Sequence, residues 1–353
     1  MRNNTIIRSS SDAARRPRFV FVLTTFPGRG QRLVQSVKSL RQQRGSNPAE
    51  RIIVSAARQF RRSNISANAD LARLNASLYG QPSQPAVETM ECENDDGPGT
   101  KLLCPLRRLR ALASETSDRP MYVLLADDDV TYRSWVLERL DAALTPSQAD
   151  NTPPAVLAFD VYTLTDVGKA VTGGMHPGLL VSSGHAVVAI RIDVLEGIEA
   201  YFKCVVSLEP RAALHDDVWL SMFLQDVKGV LPIRFSGTPF EMASRLFPDS
   251  HSSTYSFRSP GALNLLDGSA AEAARRNITG RDKEFHAAVS RAANASNVDR
   301  AAVNVAMANV RRRILLERLC GVRANATMCV GAWCNASKPR EWGAHYTRVP
   351  SWP

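Results

Sequence analysis

The amino-acid sequence predicts an α/β fold in which a mostly parallel sheet is flanked by helices. Short apolar segments alternate with segments of helical periodicity along the first two thirds of the chain. The apolar segments are continuous, as is typical of strands that are buried on both faces. At 353 residues, 44% of them hydrophobic, the chain is long enough for one large domain or two modest ones. In such sheets, ligands bind beyond the carboxyl ends of the strands.

The elements before residue 145 follow this alternation. A β-rich segment ending at Pro27 predicts the first strand, and buried strands are also predicted at 50–56 and 121–126. Apolar residues at helical spacing predict the following helices: 28–43, 67–78, 100–115 and 134–144. Pro105 either begins or interrupts the third of these helices. The remainder of 57–100 is polar, and we expect it to form loops.

The pattern continues to about residue 240 and then weakens. It predicts, in order, a strand over 155–164, a Gly-rich stretch, a strand and a helix over 185–202, a helix over 214–230 and a strand over 231–235. Beyond these, strong helical periodicity is confined to 298–322. We therefore expect a main domain (18–240) and a basic, irregular and largely helical C-terminal extension (241–353). The basic segment 1–17 is expected to be a disordered tail, with a transit peptide as the alternative.

Charge is unevenly distributed along a chain whose net charge is +10. Residues 1–62 carry +12, residues 63–257 carry −10 and residues 258–353 carry +8. A uniformly basic nucleic-acid binder would not have this distribution, so nucleic acid is not expected as a partner. The acidic middle suits a cation site, and the basic ends could attract phosphates or bind peripherally to an anionic membrane.

Two features of the sequence point to different compartments. Seven asparagines begin N-x-S/T triplets, against roughly two expected by chance, which favours the Golgi or another secretory-pathway lumen. They are Asn3, Asn64, Asn75, Asn277, Asn294, Asn325 and Asn335. No signal peptide or anchor is visible, which leaves the cytoplasm open unless an N-terminal anchor segment is missing. The six cysteines allow either disulfides or free thiols.

Three consecutive aspartates, Asp127, Asp128 and Asp129, directly follow a predicted strand. Mg²⁺ and Mn²⁺ bind one or two carboxylates together with phosphate oxygens. Alternate residues of an extended segment point the same way, so Asp127 and Asp129 could bind one cation while Asp128 turns aside. The alternative is a helix cap. A metal site is favoured because one acid would suffice for a cap, and Tyr132 and Arg133 delay the helix.

A second acidic pair, Asp216 and Asp217, opens the helix predicted over 214–230. Either carboxylate could be a general base that accepts the proton of an attacking hydroxyl group, although capping of the helix is the alternative. Upstream, Ser183–Gly184 could let the backbone approach a ligand closely, or could be a plain turn.

A Gly-Pro-Gly turn within 95–103 precedes the helix that contains Lys101. Thr100 can cap this helix. Lys101 then lies at a helix N-terminus, where anionic groups bind readily, unless it is simply an exposed lysine. The spacing of a P-loop is absent.

In order and spacing, these segments resemble a GT-A-fold glycosyltransferase of the inverting, family 2-like group, over about residues 18–240. The similarity rests on FVFVLTTFPGRGQRLVQSVKSL as the first strand, loop and helix, DDGPGTKLL, VLLADDDVTY as the DxD motif, SSGHAVVAIR and HDDVWLSMFL. The resemblance implies a GT-A-type, Rossmann-like sheet with a nucleotide-sugar half (18–130) and an acceptor half (131–240).

The resemblance also implies roles for individual residues. Asp127 would contact the ribose or the metal, and Asp129 would bind the metal that bridges the donor diphosphate. Asp217 or Asp216 would deprotonate the acceptor hydroxyl group. His251, with His345 as the second choice, would be a third metal ligand. The residues expected to bind the donor nucleotide are Thr25, Pro27, Arg29, Lys101, Asp127 and Asp128.

The implied reaction transfers a sugar from a nucleoside-diphosphate sugar, with a UDP-sugar as first choice, to a hydroxyl group of a glycan, lipid or protein. It would use Mn²⁺ or Mg²⁺ and invert the anomeric centre. Two alternatives remain open. Clustered aspartates also occur in other metal-dependent phosphoryl or nucleotidyl transferases, and an inactive GT-A-like protein could bind sugar nucleotides without turnover.

Overall fold

The computed structural model describes residues 16–60, 66–79, 85–115, 119–145, 152–165, 170–171, 178–234 and 300–320. Within these ranges the chain forms a seven-stranded sheet and a smaller three-stranded sheet. The strands are β1 (Arg18–Thr24), β2 (Arg51–Ala57), β3 (Ala86–Cys92), β4 (Met121–Leu125), β5 (Val156–Ala158), β6 (Val161–Leu164), β7 (Ala170–Val171), β8 (Leu179–Ser182), β9 (Val188–Arg191) and β10 (Ile233–Arg234).

The α-helices described are α1 (Gly30–Arg41), α2 (Asn68–Leu78), α3 (Thr100–Leu103), α4 (Leu106–Glu115), α5 (Val136–Leu144), α6 (Ile198–Leu208), α7 (Asp216–Met222) and α8 (Arg300–Cys320). None of the described helices is both long enough and apolar enough to cross a membrane.

The large sheet has the strand order β10–β5–β9–β4–β1–β2–β3. Strands β3, β2, β1 and β4 run parallel to one another, and β10 runs parallel to β5. Strand β9 lies between β4 and β5 and is antiparallel to both. The predicted α/β fold with a mostly parallel sheet is therefore confirmed.

Strand β1 shows why its sequence is continuously apolar. Phe19, Phe21 and Leu23 pack on one face of the sheet with α1 and α5, whereas Val20 and Val22 pack on the other face with α4, α6 and α7. All five side chains are fully buried. Because successive side chains of a strand point to opposite faces, a strand covered on both faces needs an apolar residue at every position.

Several predicted elements differ from those observed, each for a local reason. We expected Ala86–Cys92 to be loop, but it pairs with β2 as the edge strand β3, with half-exposed side chains of mixed polarity. The segment 155–164 divides into β5 in the large sheet and β6 in the small one. The helix predicted over 214–230 ends as α7 at Met222 and continues as one π-helical turn, Phe223–Val227. Pro105 interrupts the helix predicted over 100–115.

The described part of the C-terminal extension is α8, which packs against α7 through Val303, Met307 and Val310. Arg311 of α8 donates two hydrogen bonds of 2.7 and 2.9 Å to the carboxylate of Asp226 in the π-helical turn. This pair ties the extension to the element that begins with the second acidic pair.

Candidate active site

The predicted site residues within the described ranges lie at the carboxyl-end edge of the large sheet. Thr25 and Arg29 follow β1, the three aspartates follow β4, Lys101 lies in the first turn of α3 and the acidic pair begins α7. Pro27 is buried in the turn between β1 and α1. His251 lies outside the described residues, so its role as a metal ligand remains a prediction.

Asp128 is the inward member of the triplet, with 3% exposure. The Thr25 hydroxyl donates a 2.7 Å hydrogen bond to one carboxylate oxygen, and Arg29 donates a 2.6 Å bond to the other. Arg29 also lies 3.4 Å from the carboxylate of Asp129. Although burial opposes its charge, these carboxylates raise the pKa of Arg29. Asp128 thus fastens the loop after β1 to the end of β4.

Asp127 and Asp129 are more open, with side-chain exposures of 34% and 17%. We expected both side chains on one side of an extended segment. The chain instead turns at Asp128–Asp129, so the segment is not extended, and Asp128 and Asp129 both approach the guanidinium of Arg29.

Two serine side chains of helix α1 accept hydrogen bonds from the segment that follows the Asp128–Asp129 turn. The hydroxyl oxygen of Ser36 accepts the Val130 N–H at 3.1 Å, and that of Ser39 accepts the Tyr132 N–H at 2.9 Å. The Tyr132 hydroxyl oxygen in turn accepts the Asp127 N–H at 2.7 Å.

Lys101 joins the two acidic groups. Its ammonium lies 2.8 Å from the Asp127 carboxylate and 2.9 Å from that of Asp216, and the side chain is 3% exposed. Burial disfavours the charged ammonium, yet the carboxylates around it raise its pKa well above the usual value. Burial likewise opposes ionisation of Asp127, but Lys101 outweighs this and lowers the Asp127 pKa. The resemblance implied that Lys101 faces the diphosphate or the base of the donor, and the structure gives it two carboxylate partners.

The segment before Lys101 is closely packed. Gly97 has φ +62°, and a Cβ atom there would lie 2.2 Å from the Ala213 carbonyl oxygen. Gly99 packs against the ring of Trp219 in α7, 2.7 Å from the position of a Cβ atom. Thr100 does not act as a side-chain cap of α3. Its hydroxyl oxygen accepts the Asp96 N–H at 3.0 Å and so closes the preceding turn.

A disulfide between Cys92 and Cys104 connects the end of β3 to the end of α3. The cross-link and the glycine turn therefore fix the backbone on both sides of Lys101. Any movement of the Lys101 ammonium must therefore come from rotation of its side chain.

Asp216 and Asp217 have different surroundings. Asp216 is buried and bound to Lys101, whereas Asp217 is half-buried and accepts the Gly184 N–H at 2.9 Å. Burial, followed by repulsion from Asp216, raises the pKa of Asp217 to about 7, although Lys101 opposes this shift. A carboxyl group with such a pKa can exchange a proton near neutral pH.

Gly184 lies where a side chain would not fit easily. A Cβ atom there would stand 3.1 Å from the Lys101 ammonium and 3.2 Å from the nearer Asp217 oxygen. The turn that contains Gly184 ends at Val187, a buried residue with φ +68° whose N–H donates to the Gly184 carbonyl oxygen at 3.1 Å. A positive φ is unfavourable for a β-branched residue, so the packing around this turn must hold it in place.

Asp70 was missed by the sequence analysis. Its carboxylate accepts the N–H groups of Gly28 and Gly30, each at 2.8 Å, and so binds the loop after β1 where α1 begins. Burial raises the pKa of Asp70, and these backbone hydrogen bonds oppose the shift. No local pattern marks Asp70, because its partners lie about 40 residues earlier in the chain.

Asp127 and Asp129 carry carboxylate oxygens, which are the donor type that Mg²⁺ and Mn²⁺ prefer, and both side chains are partly exposed. In the part of the chain that the structure describes, no group of three or more His, Cys, Asp or Glu side chains is arranged to hold a metal ion. Two carboxylates suffice for Mg²⁺ or Mn²⁺ when phosphate oxygens and water complete the shell. Burial and repulsion by its two aspartate neighbours raise the Asp129 pKa even though Arg29 lies beside it.

No protein-family model matches the chain, and no curated protein shows significant similarity to it. Among solved structures, S. aureus TarS 1–349 in complex with UDP aligns with a TM-score of 0.34 and 12% identity, covering 86% of this chain and 92% of that chain. TarS 1–349 without a stated ligand gives a TM-score of 0.33 at 13% identity, with the same coverage. A longer TarS structure gives 0.29 at 13% identity, covering 84% of this chain and 55% of that one. Similarity at this level does not identify the function of the chain.

Proposed function

We propose that this chain is a metal-dependent glycosyltransferase that moves a sugar from a nucleoside-diphosphate sugar to a hydroxyl group with inversion. One observation supports this most strongly. Asp127, at the end of β4, and Asp216, at the start of α7, meet at the same lysine, at 2.8 and 2.9 Å. Transfer by displacement needs groups for the departing diphosphate and for the incoming hydroxyl in one site. Two acidic groups from different elements can divide these tasks.

Asp217 is the better candidate for the base. Asp216 already binds Lys101, whereas Asp217 is more open and has a pKa of about 7. The Gly184 N–H holds one oxygen of the carboxylate at 2.9 Å. In this proposal the other oxygen accepts the proton of the acceptor hydroxyl group as that group attacks.

The triplet and the loop after β1 would bind the donor. Asp127 and Asp129 are the proposed ligands of Mn²⁺ or Mg²⁺, which would neutralise charge on the departing diphosphate. Thr25, Pro27 and Arg29 would position the nucleotide, with Asp128 holding their loop in place. Attack from the Asp217 side, opposite the diphosphate, would invert the anomeric centre.

The proposed donor is a UDP-sugar, and the acceptor is a hydroxyl group of a glycan, lipid or protein. We also propose a lumenal location. The Cys92–Cys104 disulfide supports an oxidising compartment, and the sequon asparagine Asn75 is exposed on α2.

A donor screen tests this function. UDP- and GDP-sugars would be incubated with Mn²⁺ and a panel of hydroxyl acceptors, and release of nucleoside diphosphate and product would be measured. We expect one donor to support transfer by the wild type, with Asp129→Ala and Asp217→Asn reduced at least a hundredfold. Glu138→Gln, which removes an exposed acid on α5, is the matched control.

Equal nucleotide release by the wild type and Asp129→Ala with every donor would refute the metal site. Stabilisation by UDP without any transfer would instead favour an inactive sugar-nucleotide-binding protein. Hydrolysis of simple phosphoesters in place of sugar transfer would favour a phosphoryl-transfer enzyme. NMR assignment of the product anomer tests inversion.

A further inference from the structure

We propose that Lys101 is an internal counter-cation that competes with the divalent cation for Asp127. When the cation binds, the Lys101 ammonium moves away from Asp127 and toward the Asp216–Asp217 pair. This inference rests on the proposed function, because it presumes a cation at Asp127 and Asp129. It adds a coupling between the donor side of the site and the acceptor side.

The competition follows from the position of the ammonium. It lies 2.8 Å from an oxygen of Asp127, at the distance of a direct hydrogen bond. A divalent cation bound to the same carboxylate would stand within a few ångströms of the ammonium. Two cations at that separation repel strongly in a partly buried site, where solvent screens little. The lysine must therefore give up Asp127, at least in part, when a metal binds there.

Lys101 cannot reach solvent easily. Its side chain is 3% exposed, and its backbone is held by the Cys92–Cys104 disulfide and by the Gly97–Gly99 turn against Trp219. A charged ammonium that leaves one carboxylate in such surroundings needs another. Only a new arrangement among nearby carboxylates would meet this need without moving α3.

The second acidic pair offers this arrangement. The ammonium already lies 2.9 Å from Asp216. Gly184 has no side chain, and the point where its Cβ atom would stand lies 3.1 Å from the ammonium and 3.2 Å from an Asp217 oxygen. Lys101 and Asp217 therefore border the same small space. A change in the lysine side chain alone can move its charge from Asp127 toward the acidic pair.

Cation binding on the donor side of the site would therefore change the positive charge on the acceptor side. Without a cation, Lys101 partly neutralises Asp127 and weakens metal binding. Once a cation is bound, the ammonium stands beside the base candidates. The Lys101 ammonium would then pair fully with Asp216 and Asp217 only when a divalent cation is bound on the donor side.

Mn²⁺ binding without donor tests this directly. Free Mn²⁺ would be measured by EPR during titration of the full chain, for the wild type, Lys101→Met and Lys101→Gln. We expect both variants to bind Mn²⁺ about tenfold more tightly or better, because the competing charge is gone. Lys38→Met, which removes an exposed lysine of α1, is the control for net charge and should bind like the wild type. Unchanged affinity in the Lys101 variants, or an equal gain in Lys38→Met, would overturn the proposal.

A double-mutant cycle keeps the test independent of any one variant. Asp216→Asn removes the second partner of Lys101, so the ammonium should bind Asp127 more exclusively and Mn²⁺ affinity should fall several-fold. In the Lys101→Met background this effect should largely disappear. An equal effect of Asp216→Asn in both backgrounds would mean that Lys101 does not link the two sides.

The outcomes separate this inference from the proposed function. If Asp129→Ala abolishes Mn²⁺ binding but the Lys101 variants do not tighten it, the metal site stands and the competition is refuted. If no variant binds Mn²⁺ while sugar transfer still proceeds, the competition and the metal dependence both fail, and the transferase activity remains.

Discussion

At the scale of single residues, the candidate site is a problem of charge compensation. Lys101 is shared by Asp127 and Asp216, and Arg29 is shared by Asp128 and Asp129. Asp217 has the least direct compensation, since its described hydrogen bond comes from the Gly184 N–H. Burial and repulsion from Asp216 therefore raise its pKa to about 7, which suits a base that works near neutral pH.

The first prediction concerns the pH dependence of transfer. If Asp217 must be ionised to accept a proton, kcat/KM should rise tenfold per pH unit below an apparent pKa near 7 and level off above it. Asp216→Asn removes the repulsion, so the rising limb should move to lower pH. A pH–rate profile that is flat between pH 5.5 and 8 would contradict the assignment of Asp217.

The second prediction concerns stability at the same residue. The folded-state pKa of Asp217 lies above the usual value of 3.8, so its contribution to stability becomes less favourable as the pH rises from about 4 through about 7. Asp217→Asn keeps an acceptor for the Gly184 N–H and removes this cost. We expect the variant to lose transfer yet gain roughly 2–4 °C in Tm at pH 7.5 for each kcal/mol recovered.

Calorimetry at two pH values checks this expectation. At pH 4 the difference in Tm between the variant and the wild type should shrink, because the wild-type carboxyl is protonated in the folded state. A variant less stable than the wild type at pH 7.5 would show that the ionised carboxylate is compensated in the folded protein.

At the scale of elements, the loop between β1 and α1 is held from two directions. Asp128 binds Thr25 and Arg29 from the end of β4, and Asp70 of α2 binds the Gly28 and Gly30 N–H groups. The loop has a defined conformation because the carboxylates of Asp128 and Asp70 accept hydrogen bonds from it. The proposed nucleotide-binding residues depend on that shape.

The third prediction concerns the two hydrogen bonds that Asp70 accepts from this loop. Asp70→Ala leaves two backbone N–H groups without their acceptor, which should cost about 1–3 kcal/mol of stability and weaken UDP binding. Asp70→Asn retains one acceptor oxygen and should be milder. Asn75→Ala, at an exposed position of the same helix, is the control. Isothermal titration with UDP and Mn²⁺ measures the effect, and unchanged UDP affinity in Asp70→Ala would show that the loop keeps its shape without Asp70.

At the scale of the whole molecule, the described part of the C-terminal extension is joined to the main domain through a buried ion pair. Asp226 and Arg311 lie 85 residues apart in sequence and form two hydrogen bonds, of 2.7 and 2.9 Å. Their side chains are largely buried. A carboxylate buried in this way depends on the guanidinium that accompanies it.

The fourth prediction is that α8 contributes to the stability of the main domain. Arg311→Met should lower the free energy of unfolding by about 3 kcal/mol, because the Asp226 charge loses its guanidinium partner. Arg312→Met, at the exposed neighbouring position, should have a much smaller effect. Urea denaturation followed by circular dichroism measures both. Equal losses in the two variants would indicate a general effect of charge on α8 instead.

The parts of the fold that were predictable are those in which local sequence determines burial. Strands β1 and β4 are apolar at every position because both faces are covered, and their pattern is visible without the structure. The edge strand β3 was not predictable, because its half-exposed residues of mixed polarity show no strand pattern and pairing with β2 determines its structure.

The acidic residues of the candidate site were predictable from the sequence, but the residues that contact them were not. The triplet and the pair stand out because adjacent carboxylates are unusual after a buried strand or at the start of a helix. The contact of Lys101 with both groups depends on the packing of α3 against α7, across 115 residues of sequence for Asp216. The hold of Asp70 on the loop after β1 is equally remote. Sequence periodicity describes single elements and is silent on such distances.

The Cys92–Cys104 cross-link also determines how the protein has to be made. It closes a loop of 12 residues around the turn that supports Lys101. Cross-links of this kind form during folding in oxidising compartments and stay open in a reducing cytosol. Material produced in a reducing host would have Lys101 on a looser support, and a lack of transfer by such material would not test the proposed function. Preparations for the experiments above therefore require an oxidising expression route, with the thiol content measured before any assay.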